Sequence, residues 1–173
     1  MIIIKTKQFT LRPMQLTDAP SYACQASNKK ISHNMLRMPY PVTLRYVKQR
    51  IRRALLEQKK RRPGFFNLAI IIDNEFSGWI SINNIEYGHK ATIGYWLAQK
   101  HWNKGLMTQI VKKMTSYGFK RFKLQRIEAT VFLHNPASAR VLVKAGYKEE
   151  GILKKYYQKG HKYLDVHLLA KIK

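Results

Sequence analysis

The stretch IGYWLAQKHWNKGLMTQIV, residues Ile93 to Val111, decides how the chain is read. Its first part, out to Ala98, alternates as a strand. A basic loop with one glycine follows from His101 to Met107. After it Ile110, Val111, Met114 and either Tyr117 or Gly118 mark one apolar helix face. A strand that passes through such a loop into a helix aims backbone N–H groups at whatever lies above the helix start, and the helix dipole favours an anion there. The junction is therefore a candidate pyrophosphate cradle, although a glycine at such a position also serves a tight turn alone.

Downstream the pattern recurs. Arg126 to Leu133 is rich in Ile, Val, Phe and Thr and reads as a strand. His134-Asn135-Pro136-Ala137-Ser138 then opens a helix from Ala137 to Ala145, closed by Gly146, with Asn135 or Ser138 as its cap. Two last strands, Tyr147 to Gln158 and His161 to Ile172, turn at Lys159-Gly160. Two helix starts thus follow two strands. If those strands are sheet neighbours, they can splay and admit one extended ligand.

Upstream, Ile2 to Leu11 is strand-like, and Thr17-Asp18-Ala19-Pro20 starts a short helix running to about Asn28. Thr43 caps a helix with Val47, Ile51, Ala54 and Leu55 on one face and Lys48, Arg52, Arg53 and Lys59 mostly outside it; Pro63-Gly64 ends it. Strands Phe65 to Ile72, Phe76 to Ile85 and Ala91 to Ala98 suggest an antiparallel meander, with a hairpin turn at Asp73-Asn74-Glu75. The order of elements is that of an α+β fold, a sheet wrapped by helices, in one domain over residues 1–173.

The charge is extreme: 33 Lys and Arg against 9 Asp and Glu, a net +24 in 173 residues. Aromatic content of 12% and basic residues dispersed through periodic segments place that charge on a folded body. A phosphate-rich ligand, nucleic acid or the ribosome, and acidic peptide tails all answer to it. No segment approaches a membrane span, and no cleavable leader is apparent, so an intracellular, cytoplasmic protein is expected. A single cysteine, Cys24, excludes an internal disulfide framework and a Cys-rich metal site, and reads as a packing residue. No metal is implied.

Three motifs, LRPMQLTDA near the start, IGYWLAQKHWNKGLM in the middle and RIEATVFLHNPASARVLVKAGYKEEG near the end, resemble the GNAT acetyltransferases, in particular the RimJ/RimL subgroup that acetylates N-terminal amines of ribosomal proteins. The resemblance runs from Leu11 to Ala170. It implies a central, mostly antiparallel twisted sheet of six to seven strands flanked by about four helices, with the cofactor cleft between two splayed central strands. It also implies acetyl-CoA as co-substrate. The family's pyrophosphate loop maps to Trp102, Asn103, Lys104, Gly105, Leu106, Met107 and Thr108. Of the wider family's loop signature only the central glycine, Gly105, is kept. Asn103 stands where the subgroup usually has glycine, and Asn is the residue that best tolerates a left-handed backbone after glycine.

In the family the amine attacks the thioester directly, so Cys24 is not needed as a nucleophile. Ser138 maps to the subgroup's hydroxyl beside the coenzyme A sulfur, and Asn135 to the position that holds the pantetheine arm. Leu142 stands where the wider family has a tyrosine. A strand carbonyl and N–H around Leu97 would bind pantetheine and polarise the acetyl oxygen. For removal of the amine proton the candidates are Glu86 at a strand end, Glu149 or Glu150, Asp165, His89 and His134. An α-amine, with a pKa of about 7.7 to 8.0 against about 10.4 for lysine, needs little help, which favours a protein N-terminus over other primary amines. Coenzyme A brings about four negative charges. Lys104, Lys112, Lys113 and Lys144 could serve those, and the helix from Thr43 to Lys60 with the run Lys59-Lys60-Arg61-Arg62 is the best candidate for docking on ribosomal RNA or an acidic substrate. The alternatives are acetylation of a small amine such as a polyamine or aminoglycoside, and a non-catalytic ribosome- or nucleic-acid-binding protein on the same fold. Monomer and homodimer are both compatible with the sequence.

Overall fold

The computed structural model describes residues 3–173, which fall into two compact units: residues 3–83 with 94–106, and residues 84–93 with 107–173. Among the described residues there are eight strands and five α-helices in an α+β, mostly antiparallel open sheet.

In the first unit β1 (Ile4–Lys5), β2 (Thr10–Arg12), β3 (Phe66–Ile72) and β4 (Glu75–Asn83) pair antiparallel in that order. The expected single N-terminal strand is two, because Thr6 turns the chain: its Oγ1 accepts from the Phe9 N–H at 3.0 Å. Its start at Ile2 lies outside the described residues. The motif Leu11-Arg12-Pro13 is structural. Both guanidinium arms of Arg12 reach Asp18, at 2.8 and 2.6 Å, and Asp18 also accepts from the Gln15 N–H at 2.8 Å. Asp73 and Asn74, at φ 50 and 61, make the tight β3–β4 turn.

Helices α1 (Ala19–Ala26) and α3 (Leu44–Gln58) cover this sheet, α1 against β4 and α3 against β3. Thr43 caps α3 as expected, accepting from the Tyr46 N–H, and Val47, Ile51 and Ala54 face inward, fully or nearly fully buried. A further short helix, α2 (Lys29–His33), starts at Asn28, whose side chain accepts from the Lys30 N–H. Tyr22, fully buried, stacks on Phe76 at 4.9 Å and takes the Trp79 indole N–H on its hydroxyl at 2.9 Å. Cys24 is not a packing residue: it is exposed, on the side of α1 away from that core.

The second unit holds the start of β5 (Lys90–Leu97), then α4 (Leu106–Arg121) from Met107 onward, β6 (Arg126–Phe132), α5 (Pro136–Lys144), β7 (Lys148–Lys159) and β8 (Lys162–Ile172). β5 pairs parallel with β6 over Lys90–Thr92, β6 antiparallel with β8, and β8 antiparallel with β7. The expected apolar residues of α4, Ile110, Val111 and Met114, are fully buried, as are Leu124, Ile127, Leu142 and Val166. Truncating one such residue to alanine costs about 2 to 5 kcal/mol. The sheet thus has more strands, and the fold one more helix, than the six to seven and about four expected. The surplus arises from the split N-terminal strand and from α2.

Candidate cofactor and catalytic site

The end of β5 and the loop after it lie in the first unit and are held at several points. The Ala98 N–H donates to the Ser77 carbonyl at 2.7 Å, which keeps β4 and β5 together one residue past the end of β5. Gly78 makes this possible. It sits at φ 152, and a Cβ there would stand 2.3 Å from the Trp96 carbonyl oxygen, so only glycine lets the two backbones approach. A glycine inside a strand pattern is the sequence signal that announces such an approach.

A short 3₁₀ turn, Gln99–His101, follows. Lys100 pairs with Glu75, which also accepts from the Gln25 amide at 2.8 Å; these donors, Lys100 foremost, hold the Glu75 carboxyl below the usual carboxylate range. Gln99 accepts from the Asn28 amide at 2.7 Å. His101 is buried, with Nε2 at 3.1 Å from the Ser77 hydroxyl. The same hydroxyl reaches the Glu75 carbonyl at 3.2 Å. Burial first, and then the charges of Lys100 and Lys104, push the His101 pKa below its ordinary value, and the ring is neutral near pH 7.

Trp102 closes the turn. Its indole N–H donates to the Leu97 carbonyl at 2.7 Å, across five residues. Of the two backbone groups expected to serve a ligand at Leu97, the carbonyl already has a partner. Asn103 and Gly105 then adopt left-handed backbone, φ 60 and 72, so the tolerance of Asn for that conformation is used. Successive N–H groups in such a turn form an anion-binding concavity at the start of a 16-residue helix. A Cβ on Gly105 would meet nothing within 4 Å, so the space above it is open. Lys104 is exposed, whereas Leu106 and Met107 are buried. The side chains of Leu106 and Met107 are thus core residues, and Thr108 is half-buried. The donor set fits a pyrophosphate.

In the second unit Asn135 caps α5: its side-chain oxygen accepts from the Ser138 N–H at 3.3 Å. Ser138 is half-buried on the first turn. Leu142 is fully buried, so the wider family's tyrosine position is here part of the core. His134 stacks on Phe132 at 5.2 Å, and Phe132 meets Tyr157, whose hydroxyl lies 3.0 Å from the Thr130 hydroxyl. None of these aromatic contacts is signalled by sequence spacing.

The proton-acceptor candidates are mostly engaged. Glu86 is in the loop after β4, not at a strand end, because β4 stops at Asn83; it is about half exposed and lies 3.0 Å from His89. Glu149 faces His167 at 2.7 Å, Glu150 and Glu128 share Arg126, and Asp165 holds Lys154 at 2.9 Å. With Asp18, Glu57 and Glu75 also paired, six of the nine carboxylates pair with Lys or Arg, and Glu86 and Glu149 face histidines.

Residues 8–148 match the family model described as Acetyltransferase (GNAT) domain. The chain belongs to the GNAT acetyltransferases. It is 34% identical, over 88% of its length and 87% of the relative's, to the probable N-acetyltransferase YjcK of Bacillus subtilis. To the ribosomal-protein-serine acetyltransferase of Escherichia coli it is 34% identical over 60% of this chain and 58% of that protein. The structure of Mycobacterium smegmatis RimJ in complex with CoA-disulfide superposes with a TM-score of 0.83 at 27% identity, covering 95% of this chain and 81% of that one. As a member of the GNAT family the protein is an acetyl-CoA-dependent N-acetyltransferase, and its eight-stranded α+β architecture is the GNAT fold. Among the described residues no helix is long and apolar enough to cross a membrane.

Proposed function

We propose that this GNAT enzyme acetylates the N-terminal α-amine of a protein, a ribosomal protein being the first candidate, in the cytoplasm. The observation that carries this reading is the state of the acids: with six of nine carboxylates paired with Lys or Arg and two more facing histidines, the protein is poorly equipped to deprotonate a strongly basic amine. An α-amine, about a tenth neutral near pH 7, needs only a water relay. The names of the relatives, a ribosomal-protein-serine acetyltransferase and RimJ, support the same acceptor class. Net charge of +24 disfavours free polyamines and aminoglycosides as acceptors by repulsion.

In this proposal the backbone N–H groups from Trp102 to Thr108 and the Lys104 ammonium hold the pyrophosphate of acetyl-CoA. Asn135, its side-chain oxygen occupied by the cap, donates its amide NH₂ to the pantetheine arm. The Leu97 N–H polarises the acetyl carbonyl while Trp102 fixes the strand end. The amine nitrogen bonds to the acetyl carbon, the carbon–sulfur bond breaks, Ser138 gives a hydrogen bond to the departing sulfur, and the amine proton leaves through water toward Glu86. The family model spans residues of both units, which supports 1–173 as one GNAT domain.

The test compares initial rates on three acceptors at equal concentration: a peptide with a free N-terminus and no lysine, an N-terminally blocked peptide with one lysine, and spermidine. The free N-terminus is expected to react at least about tenfold faster, following the difference in neutral amine. Equal or faster reaction of the lysine peptide or of spermidine would overturn the acceptor assignment and leave the acetyltransferase reading intact.

A further inference from the structure

Residues 44–62, α3 and the turn after it, carry nine Lys and Arg against one acid, Glu57, which pairs with Lys60 at 2.7 Å. At 100° per residue Arg45, Lys48, Arg52 and Lys59 fall within an arc of about 60°, and the line from first to last is about 21 Å long. All four are exposed. Among the described residues none of the four makes an ion pair. Elsewhere on the helix, Arg50 lies over the Tyr46 and Trp79 rings at 5.7 and 5.6 Å, and Arg53 over Phe65 at 5.3 Å. Aromatic faces hold these two guanidiniums, and neither makes an ion pair among the described residues.

This arrangement works against the helix itself. Lys48 and Arg52 are like charges one turn apart, Arg45 sits in a first turn without an acid, and each of these opposes helix stability. Coenzyme A does not account for the stripe, since its phosphates are served at the β5–α4 junction. We propose that this face of α3 docks on the phosphodiester backbone of structured RNA. In duplex DNA each strand carries one phosphate per about 3.4 Å of helix axis, and an RNA duplex is at least as dense, so a line of cations about 21 Å long has several phosphates within reach. An acidic protein fits less well: a protein interface has an apolar core, and this arc holds no large apolar side chain, the exposed Leu56 and the half-buried Leu55 lying just beside it.

The test is fluorescence anisotropy of a labelled RNA hairpin against the full chain over a salt series. One variant carries Arg45→Ala, Lys48→Ala, Arg52→Ala and Lys59→Ala. A control of equal net charge carries Lys120→Ala, Lys148→Ala, Lys162→Ala and Lys173→Ala, all exposed and outside α3. The slope of log K on log salt is expected to shrink by about 3 in the α3 variant, at roughly 0.7 to 0.9 per lost phosphate contact, with affinity falling at least about tenfold. The control should keep most of the slope. Circular dichroism checks folding, and the single variants Lys48→Gln and Arg52→Gln, each expected to remove about 0.7 to 0.9 from the slope, replace the fourfold variant if it unfolds. No RNA binding by the parent chain, equal loss in both fourfold variants, or tighter binding to polyglutamate than to RNA would overturn the proposal.

Discussion

The indole N–H of Trp102 donates to the Leu97 carbonyl at 2.7 Å, so the residue that enters the phosphate loop also ties that loop to the end of strand β5. The bond couples the two places where the co-substrate is proposed to be held, its pyrophosphate and its acetyl end. Trp102→Phe keeps the ring and removes the donor. The loss of one half-buried hydrogen bond is expected to cost about 0.5 to 1.5 kcal/mol in stability, and acetyl-CoA binding should weaken by a similar amount, up to about tenfold. Calorimetric titration with acetyl-CoA beside a melting curve checks both; unchanged affinity would remove Trp102 from the site.

Asn103 stands at φ 60, where a β-branched residue is strained. Asn103→Gly should leave acetyl-CoA affinity equal or improved, and Asn103→Val should reduce it by about tenfold, the equivalent of about 1 to 2 kcal/mol of left-handed strain. A series in which Val binds as well as Gly would show that the loop does not need this conformation to hold the ligand.

Gly78 is required by the 2.3 Å that would separate its Cβ from the Trp96 carbonyl oxygen. Because the obstacle is backbone, Gly78→Ala must push β4 and β5 apart, and a loss of about 1 to 3 kcal/mol is expected from overpacking. Chemical denaturation measures it.

The buried His101 predicts a pH dependence of stability. Its folded pKa is lowered, by burial above all, so below the ordinary histidine value of about 6.5 the unfolded chain binds a proton that the folded ring does not. Stability from this group is complete above that value and is lost as pH falls from it toward the lowered folded pKa. Melting temperatures of the parent and of His101→Gln, compared between about pH 7.5 and about pH 5, should show a steeper fall in the parent. Parallel curves would mean that His101 titrates as an ordinary exposed histidine.

Ser138→Ala is expected to lower kcat by about a hundredfold with a smaller change in KM, as befits a group that meets the departing sulfur only in the transition state. Glu86→Gln, at a half-exposed carboxylate, should lower kcat by less than about threefold at pH 8, where much of an α-amine is already neutral. A large loss in Glu86→Gln with little in Ser138→Ala would reverse the two roles.

The sequence made the secondary structure and the loop readable because period and caps are local properties. Thr43 and Asn135 cap the helices they precede, Ile110, Val111 and Met114 turn inward, and Asn103 adopts the backbone that its side chain tolerates. What escaped depends on contacts distant in sequence. Ser77 and His101 are 24 residues apart, and no period announces that they meet. Trp102 was legible as a loop residue but not as the partner of Leu97. Glu86 reads as the end of a strand because Ile85 prolongs the apolar alternation, whereas the chain leaves the sheet after Asn83. Cys24 fell on the outer side of a helix of eight residues, too short for its inward face to be fixed by spacing alone.

The most direct test of the account is calorimetric titration of the protein with acetyl-CoA at low and at high salt. A shaped pyrophosphate site formed by the left-handed turn at Asn103 and Gly105 predicts micromolar binding that persists at high salt and weakens about tenfold in Asn103→Val. Absence of binding, or binding that modest salt abolishes in the parent protein, would show that only the excess positive charge attracts the ligand and would contradict an operating GNAT site.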